Sequence, residues 1–149
     1  MNTNTVSNTI FSDRIFTSSE LNRKSGHVLD TALTTPVTIT RNNDSFALLR
    51  RELMTSMAKG IEQMNKVSQL ANVVFRLTLG QEIESTNEFK WIEEFDSEEQ
   101  VDFVNEVYEA LNLARSTDDW DEVAAVIHEW HESAVAISSN ELAEAFDKK

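Results

Sequence analysis

The chain has 149 residues, with 13 Lys/Arg against 26 Asp/Glu and a formal net charge of −13. That length suits one domain, or a small domain with an interaction segment, and the charge argues against bulk attraction to nucleic acid or an anionic membrane. The absence of cysteine excludes disulfides, thiolate metal sites and Cys nucleophiles, and no apolar run approaches the roughly 20 residues of a membrane span. The opening MNTNTVSNTIFSDR carries no apolar stretch of signal-peptide type, so a cytoplasmic protein is expected.

The charge is unevenly spread. Residues 1–74 hold eight Lys/Arg and six Asp/Glu, a net of +2, whereas residues 75–149 hold five and twenty, a net of −15. Such asymmetry suggests two tasks in one chain. The acidic half is not composed like a disordered tail, because it holds Trp91, Trp120, Trp130, Phe89, Phe95, Phe103, Tyr108 and Phe146. Helices that bury an apolar stripe are expected there.

Residues 1–15 read as a flexible, Asn/Thr-rich leader. Thr17-Ser18-Ser19-Glu20 has capping-box spacing, and the helix it opens would place Leu21, Val28, Leu29, Ala32 and Leu33 on one side. Pro36 ends that helix, since the residue before proline is pushed out of the helical region. Val37-Thr38-Ile39-Thr40 alternates as a strand, Asn42-Asn43-Asp44-Ser45 is a turn, and Phe46–Leu49 is the returning strand. A long helix follows over about 51–79, with Gly60 as a point of bending or breakage and Gly80 as its stop.

In the acidic half, Ser97-Glu98-Glu99-Gln100 reads as a second capping box, followed by Val101, Val104, Tyr108 and Leu111 at heptad-like spacing. Ser116 or Thr117 opens the next helix, with the stripe Trp120, Val123, Ile127, Trp130, Ala134 and Ile137. Ser138-x-x-Glu141 opens a short final helix.

Enzyme chemistry finds little footing. His128 and His131 stand at i, i+3 among carboxylates, but a zincin needs i, i+4, so a metal-dependent hydrolase is the least favoured reading. Paired acids such as Glu93-Glu94 and Asp118-Asp119 sit where helix first turns favour negative charge. Three glycines, at 26, 60 and 80, cannot build a phosphate loop. No catalytic residues, metal ligands or cofactors are expected. Two candidates remain. Arg14, Arg23, Lys24 and Arg41 cluster on and after the first helix, where basic groups reach phosphates or base edges. The aromatic stripes are either internal core or anchors for a partner protein, which the surrounding acidity marks as basic.

Residues 16–49, with SSELNR in the opening helix, then VLDTA, PVTITRN and the LL strand leading to RRE, resemble the N-terminal domain of the Phd/YefM (prevent-host-death) antitoxins. The resemblance implies an α+β protein: a homodimeric helix–strand–strand head over 16–80 that binds operator DNA, then an acidic all-helical toxin-binding region over 81–149. It implies DNA contacts from Asn22, Arg23, Lys24, Arg41 and Asn42, and a core or dimer contact from Val28, Leu29, Ala32, Val37 and Ile39. The partners it implies are operator DNA, a cognate basic toxin and a second copy of the chain, with no membrane. The toxin would be held by Phe89, Trp91, Phe95, Val104, Tyr108, Leu111, Trp120, Ile127 and Trp130. The chain departs from the usual pattern in its length, adding some 60 residues with their own helix caps and three tryptophans. An acidic adaptor that binds protein but not DNA is the alternative.

Overall fold

Thr17 starts the first helix as its spacing predicts. Its Oγ1 accepts from the Glu20 N–H at 3.1 Å, while the Glu20 carboxylate accepts from the Thr17 N–H at 2.7 Å, closing the capping box. These bonds hold the Glu20 carboxyl below its ordinary range, the Thr17 backbone N–H contributing most. The structure, a computed structural model, describes residues 14–148. In chain order it contains β1 (Ile15–Thr17), α1 (Ser18–Arg23), α2 (Ser25–Thr34), β2 (Val37–Arg41), β3 (Asp44–Leu48), α3 (Arg51–Thr78), a 3₁₀ turn (Lys90–Glu94), α4 (Ser97–Thr117) and α5 (Trp120–Asp147). The fold is mixed α+β. It divides into two compact units, one up to Lys59 and one from Gly60. The division falls inside α3 rather than near residue 80, because Val67, Leu70, Val73 and Val74 of α3 share a core with α4 and α5.

The first unit is a three-stranded sheet in the order β1-β2-β3 with α1 and α2 between its first two strands. β2 and β3 are antiparallel, pairing Arg41 with Asp44 across the two-residue turn 42–43. Asn42 takes φ 53°, a left-handed conformation that asparagine tolerates. β1 pairs in parallel with β2, Phe16 opposite Ile39. The expected leader therefore ends in a strand at its last residue, Ile15. The rest of that leader, up to residue 13, lies outside the described residues. The single helix expected after Thr17 is broken at Lys24 (φ −132°, ψ 42°), just before Ser25-Gly26, residues that favour helix interiors poorly. Val28, Ala32, Val37 and Ile39 form the buried core, with Phe16, Leu21 and Leu48 against it. Leu29 and Leu33 lie a turn-face away from Val28 and Ala32 and stay more than half exposed.

In the second unit, α3 ends where Gly80 turns left-handed at φ 71°, with Gln81 N–H donating to Arg76 C=O at 3.0 Å and Gly80 N–H to Leu77 C=O at 2.9 Å. This pair of bonds is a Schellman stop. The cap of α4 is Asp96 rather than Ser97: its Oδ1 accepts from Glu98 and Glu99 N–H, both at 2.9 Å. Gln100 is thereby freed from capping and turns inward, donating to Phe95 C=O at 2.8 Å. α4 runs on through Ser116 and Thr117, so neither opens the next helix. The turn is made at Asp118 (φ 65°), and α5 starts at Trp120. The expected short final helix is instead the last part of α5, which continues unbroken from Trp120 through Ser138.

Gly60 does not break α3, which is continuous from Arg51 to Thr78. Its role is close approach: a Cβ there would lie 2.9 Å from Cζ2 and 3.0 Å from Cε2 of the Trp120 indole. That ring is buried and tethered through Nε1–H to Asp118 Oδ1 at 2.9 Å, so it cannot swing aside like the end of a flexible chain. Alanine favours a helix interior over glycine by about 1 kcal/mol, but overpacking a filled core costs about 1–3 kcal/mol. Gly60→Ala is expected to lower the urea unfolding midpoint. In a Trp120→Phe background the same change is expected to raise it, as a double-mutant cycle will read.

Candidate functional site

The basic residues of the head are all exposed. Arg41 closes β2 and Asn42 begins the hairpin turn, so these two stand together at one end of the sheet. Asn22 and Arg23 end α1 and Lys24 forms the break after it. Thr40 pairs with Thr17, where α1 begins, so Arg41 lies at the sheet end from which α1 departs. Beside α2, Leu29, Leu33, Leu48 and Leu49 line an apolar groove of about 200 Å³, with Asp30 and Arg50 at its edge.

Phe89, Trp91, Phe95, Phe103 and Trp130 of the C-terminal unit gather into one cluster. Trp91 meets Phe89 (6.4 Å between ring centres), Phe95 (6.4 Å), Phe103 (5.5 Å) and His131 (5.0 Å), while Trp130 packs on Phe95 (5.1 Å) and Phe103 (5.2 Å). The Trp130 indole N–H donates to Glu106 Oε2 at 2.7 Å. Of the nine residues expected to meet a partner, Phe89, Phe95 and Trp120 are buried in this unit's own core. Trp91, Val104, Leu111, Ile127 and Trp130 are partly buried against it, and Tyr108 is exposed. α4 in fact carries two apolar stripes. Phe103, Val107, Ala110 and Ala114 turn inward, one position round from the stripe legible in the sequence. Val101 (53% exposed) and Tyr108 (42%) face out, with Val104 and Leu111 beside them half-buried.

A cleft of about 280 Å³ opens on the same unit. α3 contributes Gln63 and Lys66, and the segment after it contributes Glu88, Phe89 and Trp91. α5 closes the cleft with Ala124, Ile127, His128 and His131. Lys66 Nζ is paired with Glu62 at 2.9 Å. Gln63 is buried, and its Oε1 has no hydrogen-bond partner. His131 lies against Trp91 with the ring planes 33° apart, an aromatic contact that accounts for one of the two histidines. Among the described residues no group of three His, Asp or Glu is placed to hold a metal ion. Gln63, Lys66 and Glu88 were not among the sequence candidates. A signal existed for Gln63, a polar residue interrupting the inward series Gly60, Val67, Leu70 and Val74.

No family model matches the chain, nor does any curated protein or solved structure. Among the described residues, no helix is long and apolar enough to cross a membrane.

The segment that carries Glu88 and Trp91 is tied to the end of α3. Arg76 forms a two-pronged pair with Glu84, both contacts at 2.9 Å, and also donates to Glu82 C=O at 2.8 Å. Arg76 holds the Glu84 carboxyl well below its ordinary value of 4.5, at about 2. A depressed carboxyl stabilises the fold above its unfolded-state pKa, and that contribution disappears as pH falls through the folded-state value. Glu84→Gln is therefore expected to lower the urea midpoint at neutral pH. The gap from the native chain should close between pH 4.5 and about 2, as a series of melts across that range will measure.

Proposed function

We propose that the chain is the antitoxin of a type II toxin–antitoxin module. Its head dimerises and binds operator DNA through Arg41, Asn42 and the Asn22–Lys24 segment, and its C-terminal unit occludes a basic toxin. The protein acts by binding and carries no catalytic site. What supports this reading is that charge divides where the structure divides. The unit up to Lys59 holds seven Lys/Arg against five Asp/Glu, while the unit from Gly60 holds six against 21. A net of +2 beside a net of −15 suits a polyanion on one unit and a basic protein on the other.

The outward stripe of α4 is the favoured toxin face. Val101, Val104, Tyr108 and Leu111 supply apolar contact, and Asp102, Glu106 and Glu109 on the same helix supply charge. Phe89, Phe95 and Trp120 are buried in the interior of the unit, so they are not part of this face. Dimerisation of the head is supported by its small core of four buried apolar residues, beside which Leu29, Leu33 and Phe46 remain 52–59% exposed.

Co-expression of the tagged chain with its neighbouring reading frame is expected to yield a stoichiometric basic protein that is toxic when expressed alone. Val101→Asp/Tyr108→Asp should abolish that co-purification while leaving the far-ultraviolet circular dichroism unchanged. Separately, a salt-dependent gel shift with the DNA upstream of the reading frame should be lost in Arg41→Ala. Retention of a basic partner without any shift would favour the adaptor reading.

A further inference from the structure

The cleft formed by α3, the Glu88–Trp91 segment and α5 has features that neither the outward stripe of α4 nor the core explains. We propose that it seats the guanidinium of an arginine side chain supplied by the basic partner protein, an inference that rests on the partner-binding reading above.

Size sets the first limit. About 280 Å³ falls just under the range of roughly 300–1,000 Å³ typical of small-molecule sites, which suits one long side chain better than a whole cofactor. The walls then select its chemistry. Gln63 is 7% exposed, and its Oε1 is a buried acceptor with no donor. Such an orphan is unusual in a folded protein and costs about 1–3 kcal/mol. Gln63 lines the cleft, and the last torsion of a glutamine side chain is soft, so its carboxamide can turn to meet a donor entering there. Glu88 brings a carboxylate that makes no ion pair among the described residues, whereas the cation at the rim, Lys66, is already matched by Glu62. Trp91 supplies an aromatic part of the wall, with the His131 imidazole packed against it at 5.0 Å.

A buried acceptor, a free carboxylate and an aromatic side chain together fit a planar, donor-rich cation. Guanidinium stacks on aromatic rings and presents five N–H groups in a fixed fork, while an ammonium is a compact, strongly hydrated point charge. An anionic ligand would meet the field of a unit carrying −15.

The test uses the full ¹⁵N-labelled chain, titrated with N-acetyl-arginine amide and followed by NMR. Saturable shifts are expected at the Trp91 indole and the Gln63 carboxamide. The citrulline counterpart, a neutral isostere, and the lysine counterpart should each bind about fivefold or more weakly. Glu88→Gln should weaken arginine binding severalfold, and Gln63→Leu should erase the preference for arginine over lysine without loss of fold. The absence of saturable shifts, equal binding of citrulline, or indifference to Glu88→Gln would overturn the proposal. Failure here is separable from failure of the antitoxin reading. A co-purifying toxin with no arginine binding removes only the seat, whereas arginine binding without any partner leaves the seat and removes the antitoxin.

Discussion

The Trp120 indole rests directly on the backbone of α3 at Gly60, and the C-terminal unit depends on that contact. It is possible only because no side chain stands at residue 60, and it fixes the start of α5 against α3 with the ring anchored by Asp118. From there Val123 and Val126 continue along α5 into the core shared with Val67, Leu70 and Val74 of α3. One turn beyond Gly60, Gln63 lines the cleft together with Ala124, Ile127 and His128 of α5. The tight approach and the open cleft are neighbouring features of one packing arrangement.

α4 shows how core and surface share a helix. Its inward stripe, including Phe103 and Val107, completes the core, and its outward stripe, including Val101 and Tyr108, remains exposed. A helix needing only to fold could have carried polar residues at the outward positions, as Asp102 and Glu109 do beside them. Retaining apolar side chains within an acidic surface leaves transfer free energy of about 25 cal/mol per Å² available to an incoming partner. In the proposed reading, the surrounding charge would restrict that partner to a basic one.

Much of the architecture was legible because local chemistry and global fold agree. Thr17 and Glu20 box the first helix, Asn42 turns the hairpin and Gly80 stops α3, each for reasons contained within a few residues. What was not legible depends on distant partners. β1 is three residues long and exists through pairing with β2 more than 20 residues away, which no local periodicity encodes. Gly60 carries a packing signal addressed to Trp120, 60 residues on, so its helix propensity alone points to a break that does not form. The inward stripe of α4 was misplaced by one position because Phe103, Val107, Ala110 and Ala114 recur at helical spacing just as Val101, Val104, Tyr108 and Leu111 do, and periodicity alone does not choose between them. The aromatic residues were visible as composition, but their division into buried Phe89 and Phe95, partly buried Trp91 and exposed Tyr108 required three dimensions.

Placing +2 and −15 units on one chain has a thermodynamic consequence if the head binds DNA and the other unit binds a basic protein. Unneutralised acidic charge opposes any approach of the chain to phosphates, and a basic partner removes part of that opposition. Toxin binding then strengthens DNA binding, and by linkage DNA must strengthen toxin binding by the same factor. Because exposed charges interact through solvent, this coupling weakens as salt shortens the screening length, about 8 Å at physiological ionic strength. The apolar stripe of α4 is much less sensitive to salt. In the antitoxin reading, toxin capture would therefore persist under conditions where coupling to DNA has faded, so that one chain would hold its partner steadily while its repression responded to how much partner was bound.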